Sequence, residues 1–307
     1  SPLSEPAGEL LVLEAEDLGE PKTSVETDGD QVKVGKLNEI DADAVGLLSE
    51  SSGGYPDSLW HGSRRDRVMA LLPRLPVEAR SPAMRSAVLK LLLSSGEAPS
   101  GEVIEKGRLL RLRAELLARM GEYDVAIALL QASPSGGFEE IIARYDSDRM
   151  FLKLDFVGAC GKARTRIDIS PLPYWQRALI FCQSRSQEVE AASLGLDLLR
   201  ESDSPPSAAF VTLINAMNGY GEAVLDSLPN PTPMLVSMLR VLNIPAPADA
   251  LDVANPALLR VFASTSDSDI ELRLAAAEEA EAVGALPAES IGLLYAAVAF
   301  SSEELAN

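Results

Sequence analysis

Residues 110–134 read LRLRAELLARMGEYDVAIALLQASP, and this stretch decides the fold class of the chain. Its apolar residues recur at the three- and four-residue spacing of helices on both sides of Gly121. Glycine commonly ends a helix because it adopts left-handed backbone angles without steric cost. The stretch therefore predicts one helix that ends at residue 120, a tight turn, and a second helix over residues 123–132.

Apolar residues at helical spacing also occur throughout residues 55–307, where Gly, Ser and Pro interrupt them. At four interruptions a capping residue precedes a proline, which predicts a helix start. The capping side chain can accept a hydrogen bond from a free backbone N–H of the first turn, and proline lacks an N–H that would be unpaired there. These pairs are Ser81-Pro82, Ser170-Pro171, Asn230-Pro231 and Asn255-Pro256. The predicted helices cover residues 64–74, 82–94, 101–120, 123–132, 137–143, 147–162, 172–185, 187–201, 206–217, 221–227, 232–242, 256–264, 268–284 and 287–300. No strand-like alternation follows residue 54, so the sequence predicts an all-α fold of stacked antiparallel helical hairpins.

The stretch 110–134 resembles a tetratricopeptide repeat. Ala114 and Ala126 stand at the small positions where the two helices of such a repeat approach each other, and Leu117 takes a large core position. Residues 121–124 match the turn of the repeat. The resemblance implies an α-solenoid, a fold that binds peptides or partner proteins in the groove of its stacked hairpins.

A looser copy of the repeat covers residues 175–201, WQRALIFCQSRSQEVEAASLGLDLLRE. It lacks the glycine and the tyrosine of the turn, so it is a degenerate hairpin. Its counterparts to the packed residues of the first copy are Trp175, Ala178, Cys182, either Ala191 or Ala192, and Leu198. We therefore expect a second helical pair here.

Residues 1–54 differ in composition from the rest of the chain. They contain no aromatic residue, and residues 1–50 carry 13 acidic residues against three lysines. Such a segment buries too little apolar surface to offset the entropy of ordering it, so we expect an acidic tether that is largely disordered or extended. One alternating run within it, residues 31–37, is compatible with a strand. The helical repeat domain is then expected over residues 55–307.

The two ends of the sequence bear on its cellular location. The start at Ser1 is typical of a mature chain from which a signal peptide or anchor has been removed. Residues 301–307 are typical of a helix start, so either the helix frays here or, as we expect, the chain is a fragment of a longer protein. We expect a periplasmic or extracellular location in a bacterium, with a membrane link only through the removed segment, and a cytoplasmic location as the alternative. Cys160 and Cys182 are compatible either with a disulfide across a helical hairpin or with two buried thiols.

The chain lacks the residue patterns of common catalytic, metal and cofactor sites. Its single histidine, His61, excludes zinc sites built on several histidines, and the sequence has no GxSxG motif or phosphate-binding glycine loop. The sequence thus predicts a non-enzymatic protein without cofactor or metal. The alternative is a carboxylate-dependent enzyme that processes carbohydrate or peptidoglycan, which a cleft with two facing carboxylates beside Trp or Tyr would favour.

Arginine and aromatic side chains are the candidate partner-binding residues. Arg108, Arg111 and Arg119 fall toward one side of a predicted helix, where they form either a clamp for an acidic peptide or a solvated surface. Trp60 and Tyr123 are the aromatic candidates, and Trp60 is expected to cover the open end of the first hairpin. The formal net charge of -19 argues against nucleic-acid binding. We expect a protein or peptide partner, with self-association through exposed end hairpins as an alternative.

Overall fold

The computed structural model describes residues 41–252, 255–265, 269–296 and 298. Within these ranges the chain is all-α and has no β-strand, which confirms the predicted fold class. The helices are α1 (Arg65–Leu71), α2 (Pro82–Leu93), α3 (Arg108–Arg119), α4 (Tyr123–Gln131), α5 (Glu139–Leu152), α6 (Phe156–Ile167), α7 (Pro173–Arg185), α8 (Val189–Arg200), α9 (Ala208–Met217), α10 (Pro233–Leu242), α11 (Pro256–Ser264), α12 (Ile270–Ala282) and α13 (Ala288–Ala296). The alternating run at residues 31–37 and the helix start expected at residues 301–307 lie outside the described residues.

Two of the four predicted proline-led helix starts are confirmed. α2 begins at Pro82, and the Ser81 hydroxyl accepts a hydrogen bond from the Met84 amide at 3.2 Å. α11 begins at Pro256, and the side-chain oxygen of Asn255 accepts bonds from two amides of the first turn. Both caps satisfy amides that have no partner within the helix.

The other two predicted starts lie two residues too early. α7 begins at Pro173 and α10 begins at Pro233, and in both segments an earlier proline stays outside the helix. Leu172 and Thr232, which directly precede Pro173 and Pro233, have extended ψ angles of 150° and 158°. Proline crowds the preceding residue out of the helical conformation, so each helix starts only at the second proline.

Left-handed residues change other predicted boundaries. Gly107 has a φ of 71°, so α3 begins at Arg108 rather than at residue 101. Leu154 has a φ of 58° and divides α5 from α6. The predicted spans that the structure corrects are 101–120, 137–143, 147–162 and 221–227. The last of these spans holds no helix.

Residues 41–54, which the sequence assigns to the acidic tether, are packed into the helical region. Asp43 is buried, and its carboxylate accepts hydrogen bonds from the Arg65 guanidinium and from the Leu110 amide, the latter at 3.1 Å. A buried carboxylate is tolerated because these donors compensate its lost hydration. The folded region thus includes part of the predicted tether, and residues 1–40 lie outside the described residues.

Each helix from α2 to α7 packs against the next helix in the sequence, as in stacked hairpins. α9 then packs against α7, and α10 packs against both α9 and α5. α11 and α12 form the next hairpin, and α13 packs on α12. This arrangement is compatible with a helical repeat fold in which later helices return to earlier ones.

The α11–α12 hairpin closes onto the turn between α3 and α4. A Cβ atom on Gly121 would lie 2.4 Å from the backbone nitrogen of Ala257, so the absent side chain permits this approach. Arg260 donates a hydrogen bond to the Gly121 carbonyl at 2.8 Å, and Asn255 donates one to the Tyr123 hydroxyl at 3.1 Å. The turn that resembles a tetratricopeptide repeat is therefore covered by the chain itself.

Two large apolar clusters form the core. One extends from α1 to α4 and the other from α5 to α12. Fully buried members are Leu92, Leu110 and Leu117 in the first cluster and Phe151, Trp175 and Phe181 in the second. In the second cluster a disulfide joins Cys160 of α6 to Cys182 of α7, and their Cα atoms lie 5.6 Å apart.

Candidate interaction surface

Two of the three arginines proposed as a clamp on α3 pair with glutamates of the same chain. Arg111 Nη2 lies 2.9 Å from Glu105 Oε1, and Arg119 Nη2 lies 2.8 Å from Glu78 Oε1. Arg108 is exposed and lines a groove of about 350 Å³ that Glu105 also lines. An acidic peptide would have to compete with these carboxylates at Arg111 and Arg119.

Arg113, a further arginine of α3, lies inside the protein. Its side chain is 1% exposed and donates hydrogen bonds to the carbonyls of Val45, Leu92 and Ser94 at 2.5, 2.8 and 2.8 Å. Burial lowers the pKa of Arg113 to about 10. Two of the three carbonyls lie at the end of α2, where backbone acceptors have no partner within the helix. Its position three residues after the buried Leu110 was the sequence signal for this placement.

The two aromatic candidates occupy different environments. Trp60 is half-buried and lines a groove of about 350 Å³ together with Leu71 and Leu75. Tyr123 is 8% exposed, and its hydroxyl accepts the hydrogen bond from Asn255. Burial also raises the pKa of Tyr123. Trp60 therefore keeps a face toward solvent, whereas Tyr123 serves the contact between α4 and α11.

Two carboxylates of α5 lie beside aromatic residues of α7. The Tyr174 hydroxyl donates a hydrogen bond to Asp148 Oδ1 at 2.8 Å, and Trp175 Nε1 donates one to Glu140 Oε1 at 2.6 Å. Burial raises the pKa of Asp148 to about 7, against the opposing effects of the Tyr174 bond and the Arg144 charge. Shifted carboxyl pKa values occur at catalytic sites and also in structural networks. Here both carboxylates already bind donors of their own chain.

A groove of about 430 Å³ runs between α7 and α8. Ile180 and Leu199 are buried in its floor, whereas Leu194 and Leu198 on the α8 side are each 62% exposed. None of its twelve lining residues is charged. Leu198, which the looser repeat copy compares with the packed residues of the first copy, therefore lies outside the core. Clustered apolar side chains that stay in water next to a groove are typical of an interaction surface.

Acidic side chains flank the exposed leucines of α8. Glu190 precedes Leu194 by four residues, and Glu201 follows Leu198 by three, so each glutamate lies on the same side of the helix as its leucine. Both glutamates are exposed, and neither forms an ion pair with another described residue. The groove thus combines an apolar interior with a negative edge.

The described residues contain no group of three or more metal-ligating side chains. None of the described helices has the length and apolar character that a membrane crossing requires. Comparison with protein-family models, with curated proteins and with solved structures finds no match for this chain. The α7–α8 groove is accordingly interpreted from its own geometry and charge.

Proposed function

We propose that this protein is a non-enzymatic protein–protein interaction scaffold that binds a partner polypeptide in the α7–α8 groove. The exposure of Leu194 and Leu198 beside a groove without charged lining residues carries the proposal. Exposed apolar side chains lose unfavourable contact with water when a partner covers them. Arg111 and Arg119 of α3, in contrast, already have partners in Glu105 and Glu78.

The packing of α10 and α11 on earlier helices supports a binding surface outside the concave groove of a solenoid. In a tetratricopeptide-like solenoid the partner occupies the concave surface formed by the stacked hairpins. Here α10 packs against α5, and the start of α11 covers the turn between α3 and α4. We infer that the α3–α4 hairpin is a tetratricopeptide-like repeat that serves as framework, while the partner binds at α7–α8.

We also infer that the scaffold belongs to a bacterial cell-envelope assembly and works in the periplasm or at the cell exterior. The bond between Cys160 and Cys182 supports this location. Disulfides persist in oxidising compartments and are rare in the cytosol, where thiols are kept reduced.

A carboxylate-dependent enzyme acting on carbohydrate or peptidoglycan is the second candidate. Its support is Asp148, whose pKa is raised to about 7 beside the Tyr174 hydroxyl, as suits a general acid. Incubating the purified chain with peptidoglycan distinguishes the two candidates. The scaffold proposal expects no soluble fragments, whereas fragments that disappear with Asp148→Asn would establish the enzyme.

Position-specific photo-crosslinking tests the scaffold proposal. A photoreactive amino acid replaces Leu198 at the groove, and in a control chain it replaces Val157 of α6, which is 90% exposed. In the native host we expect the Leu198 probe to form an adduct with another polypeptide and the Val157 probe to form far less. The proposal fails if the Leu198 probe gives no adduct above the control, and an adduct between two copies of this chain would identify self-association instead.

A further inference from the structure

We infer that the α7–α8 groove binds an amphipathic helix of the partner whose apolar face is flanked by Lys or Arg. The inference rests on the proposed scaffold function and adds the chemistry of the partner to it. Three observations support the inference. They are the length of the groove, the backbone groups of α7 and α8 that are already hydrogen-bonded, and the acidic residues at the groove edge.

The groove accommodates about two turns of a helix. Its lining extends along α7 from Gln176 to Gln183, a length of about 10 Å at the helical rise per residue. Leu194 and Leu198 stand one turn apart on the α8 side. A docked helix would cover these two leucines with apolar residues at i, i+3 or i+4, and i+7.

An extended peptide fits this groove poorly. Its backbone amides and carbonyls need hydrogen-bond partners once water is removed. α7 and α8 bond their own backbone groups internally, and the polar side chains of the lining are Gln176, Gln183 and Ser202. A helix arrives with its backbone already hydrogen-bonded, so the groove has to accept only side chains.

The charges at the groove edge favour a basic partner. Glu190, Asp197 and Glu201 are exposed within one turn of the two leucines, and of these only Asp197 has an ion-pair partner among the described residues, Arg200 at 2.8 Å. Glu188, a further exposed acid at the N-terminus of α8, pairs with Arg164 at 3.5 Å. Among the described residues the unpaired negative charge at the edge therefore comes from Glu190 and Glu201. Opposite charges across an interface speed association and reject wrong partners, while each exposed pair adds little affinity. The leucines therefore supply the affinity and the acids select the partner.

A second copy of this chain suits the groove less well than a basic helix. The chain has a formal net charge of -19, so two copies repel each other. Two of the α3 arginines that could offset this repulsion, Arg111 and Arg119, already pair with glutamates of their own chain.

Binding of designed helical peptides to the full chain tests the inference. Three labelled peptides carry the same leucine stripe and differ in their flanking residues, which are Lys, Gln or Glu. Fluorescence anisotropy at low salt should show the Lys peptide binding about tenfold or more tightly than the Glu peptide, with the Gln peptide between them. The difference should shrink as salt is added, because salt screens exposed charges.

Matched variants of the chain locate the binding site. Leu194→Ser with Leu198→Ser should weaken the Lys peptide about tenfold or more, because the anchors are lost. Glu190→Gln with Glu201→Gln should weaken the Lys peptide by about two- to fivefold and leave the Gln peptide within about twofold. Val157→Ser, which removes an exposed apolar residue outside the groove, should change neither by more than about twofold. All five substituted positions are exposed, so each variant is expected to fold. Circular dichroism verifies this.

Three results would overturn the inference. They are equal affinity for the Lys and Glu peptides, binding that survives the loss of both leucines, and no binding of any peptide. If one of them occurs while the Leu198 probe still captures a partner in the host, the scaffold function stands and only the partner chemistry is wrong. If the Leu198 probe captures nothing, the scaffold function at this groove fails as well.

Discussion

In the region of α1 to α3 long cationic side chains lie inside the protein, whereas on the α7–α8 hairpin large apolar side chains lie outside. Arg65, Arg85 and Arg113 are 8%, 6% and 1% exposed, and each donates hydrogen bonds to carboxylates or backbone carbonyls. Leu194 and Leu198 are each 62% exposed. Buried arginines thus add hydrogen bonds to an apolar core in the first region, whereas the second region leaves large apolar side chains in water.

Removing Arg113 should have the largest effect on stability. Arg113→Met keeps most of the volume but leaves the carbonyls of Val45, Leu92 and Ser94 without their donor inside the protein. We expect the free energy of unfolding to fall by about 3 kcal/mol or more, because buried acceptors without partners are costly. Arg111→Met is the matched control on the same helix and should cost less than about 1 kcal/mol, since its ion pair is exposed. Urea denaturation measures both, and equal losses would contradict a structural role for Arg113.

The Cys160–Cys182 bond should stabilise the α5–α8 region by a comparable amount. Cys160→Ala with Cys182→Ala opens a loop whose ends are 22 residues apart in sequence, which lowers the free energy of unfolding by on the order of 3 kcal/mol. Reductant should destabilise the original chain and leave the variant unchanged. Thiol titration of the denatured chain without reductant should count no free thiol, and two reactive thiols would show that the bond does not form.

The contact of α11 with the α3–α4 turn should contribute less to the free energy of unfolding than Arg113 or the disulfide. Gly121→Ala places a Cβ atom 2.4 Å from the Ala257 nitrogen, and it also adds a side chain at a φ of 76°. Gly62→Ala is the control, because Gly62 has a φ of 74° and nothing within 4 Å of its Cβ position. We expect Gly121→Ala to cost about 1–3 kcal/mol more than the control in the same denaturation assay. A loss equal to that of the control would mean that α11 does not pack on this turn.

Fold class and several helix starts could be predicted because they depend on local signals. The Ser81 cap and Pro82 at the start of α2 are neighbours in the sequence, and helical spacing repeats within a few residues. The return of α11 to the α3–α4 turn could not be predicted, since Gly121 and Ala257 meet without any periodic signal that links them. The prediction therefore included the helix over residues 256–264 but not its contact with the turn.

The candidate surface could be predicted less well, because α8 has more leucines than one face can bury. Leu196 and Leu199 are each 2% exposed, whereas Leu194 and Leu198 remain outside. Residue type does not distinguish these pairs, and only the packing of α7 against α8 does. The number of arginines on α3 favoured a binding site there, yet one of them, Arg113, donates three hydrogen bonds inside the protein.

The most direct test of the central claim compares photoreactive probes at Leu198 and at Arg111 in the same native host. We expect the Leu198 probe to form an adduct with a partner polypeptide and the Arg111 probe to form none above background. An adduct at Arg111 with none at Leu198 would contradict the assignment of the α7–α8 groove and restore the arginine face of α3 as the binding site.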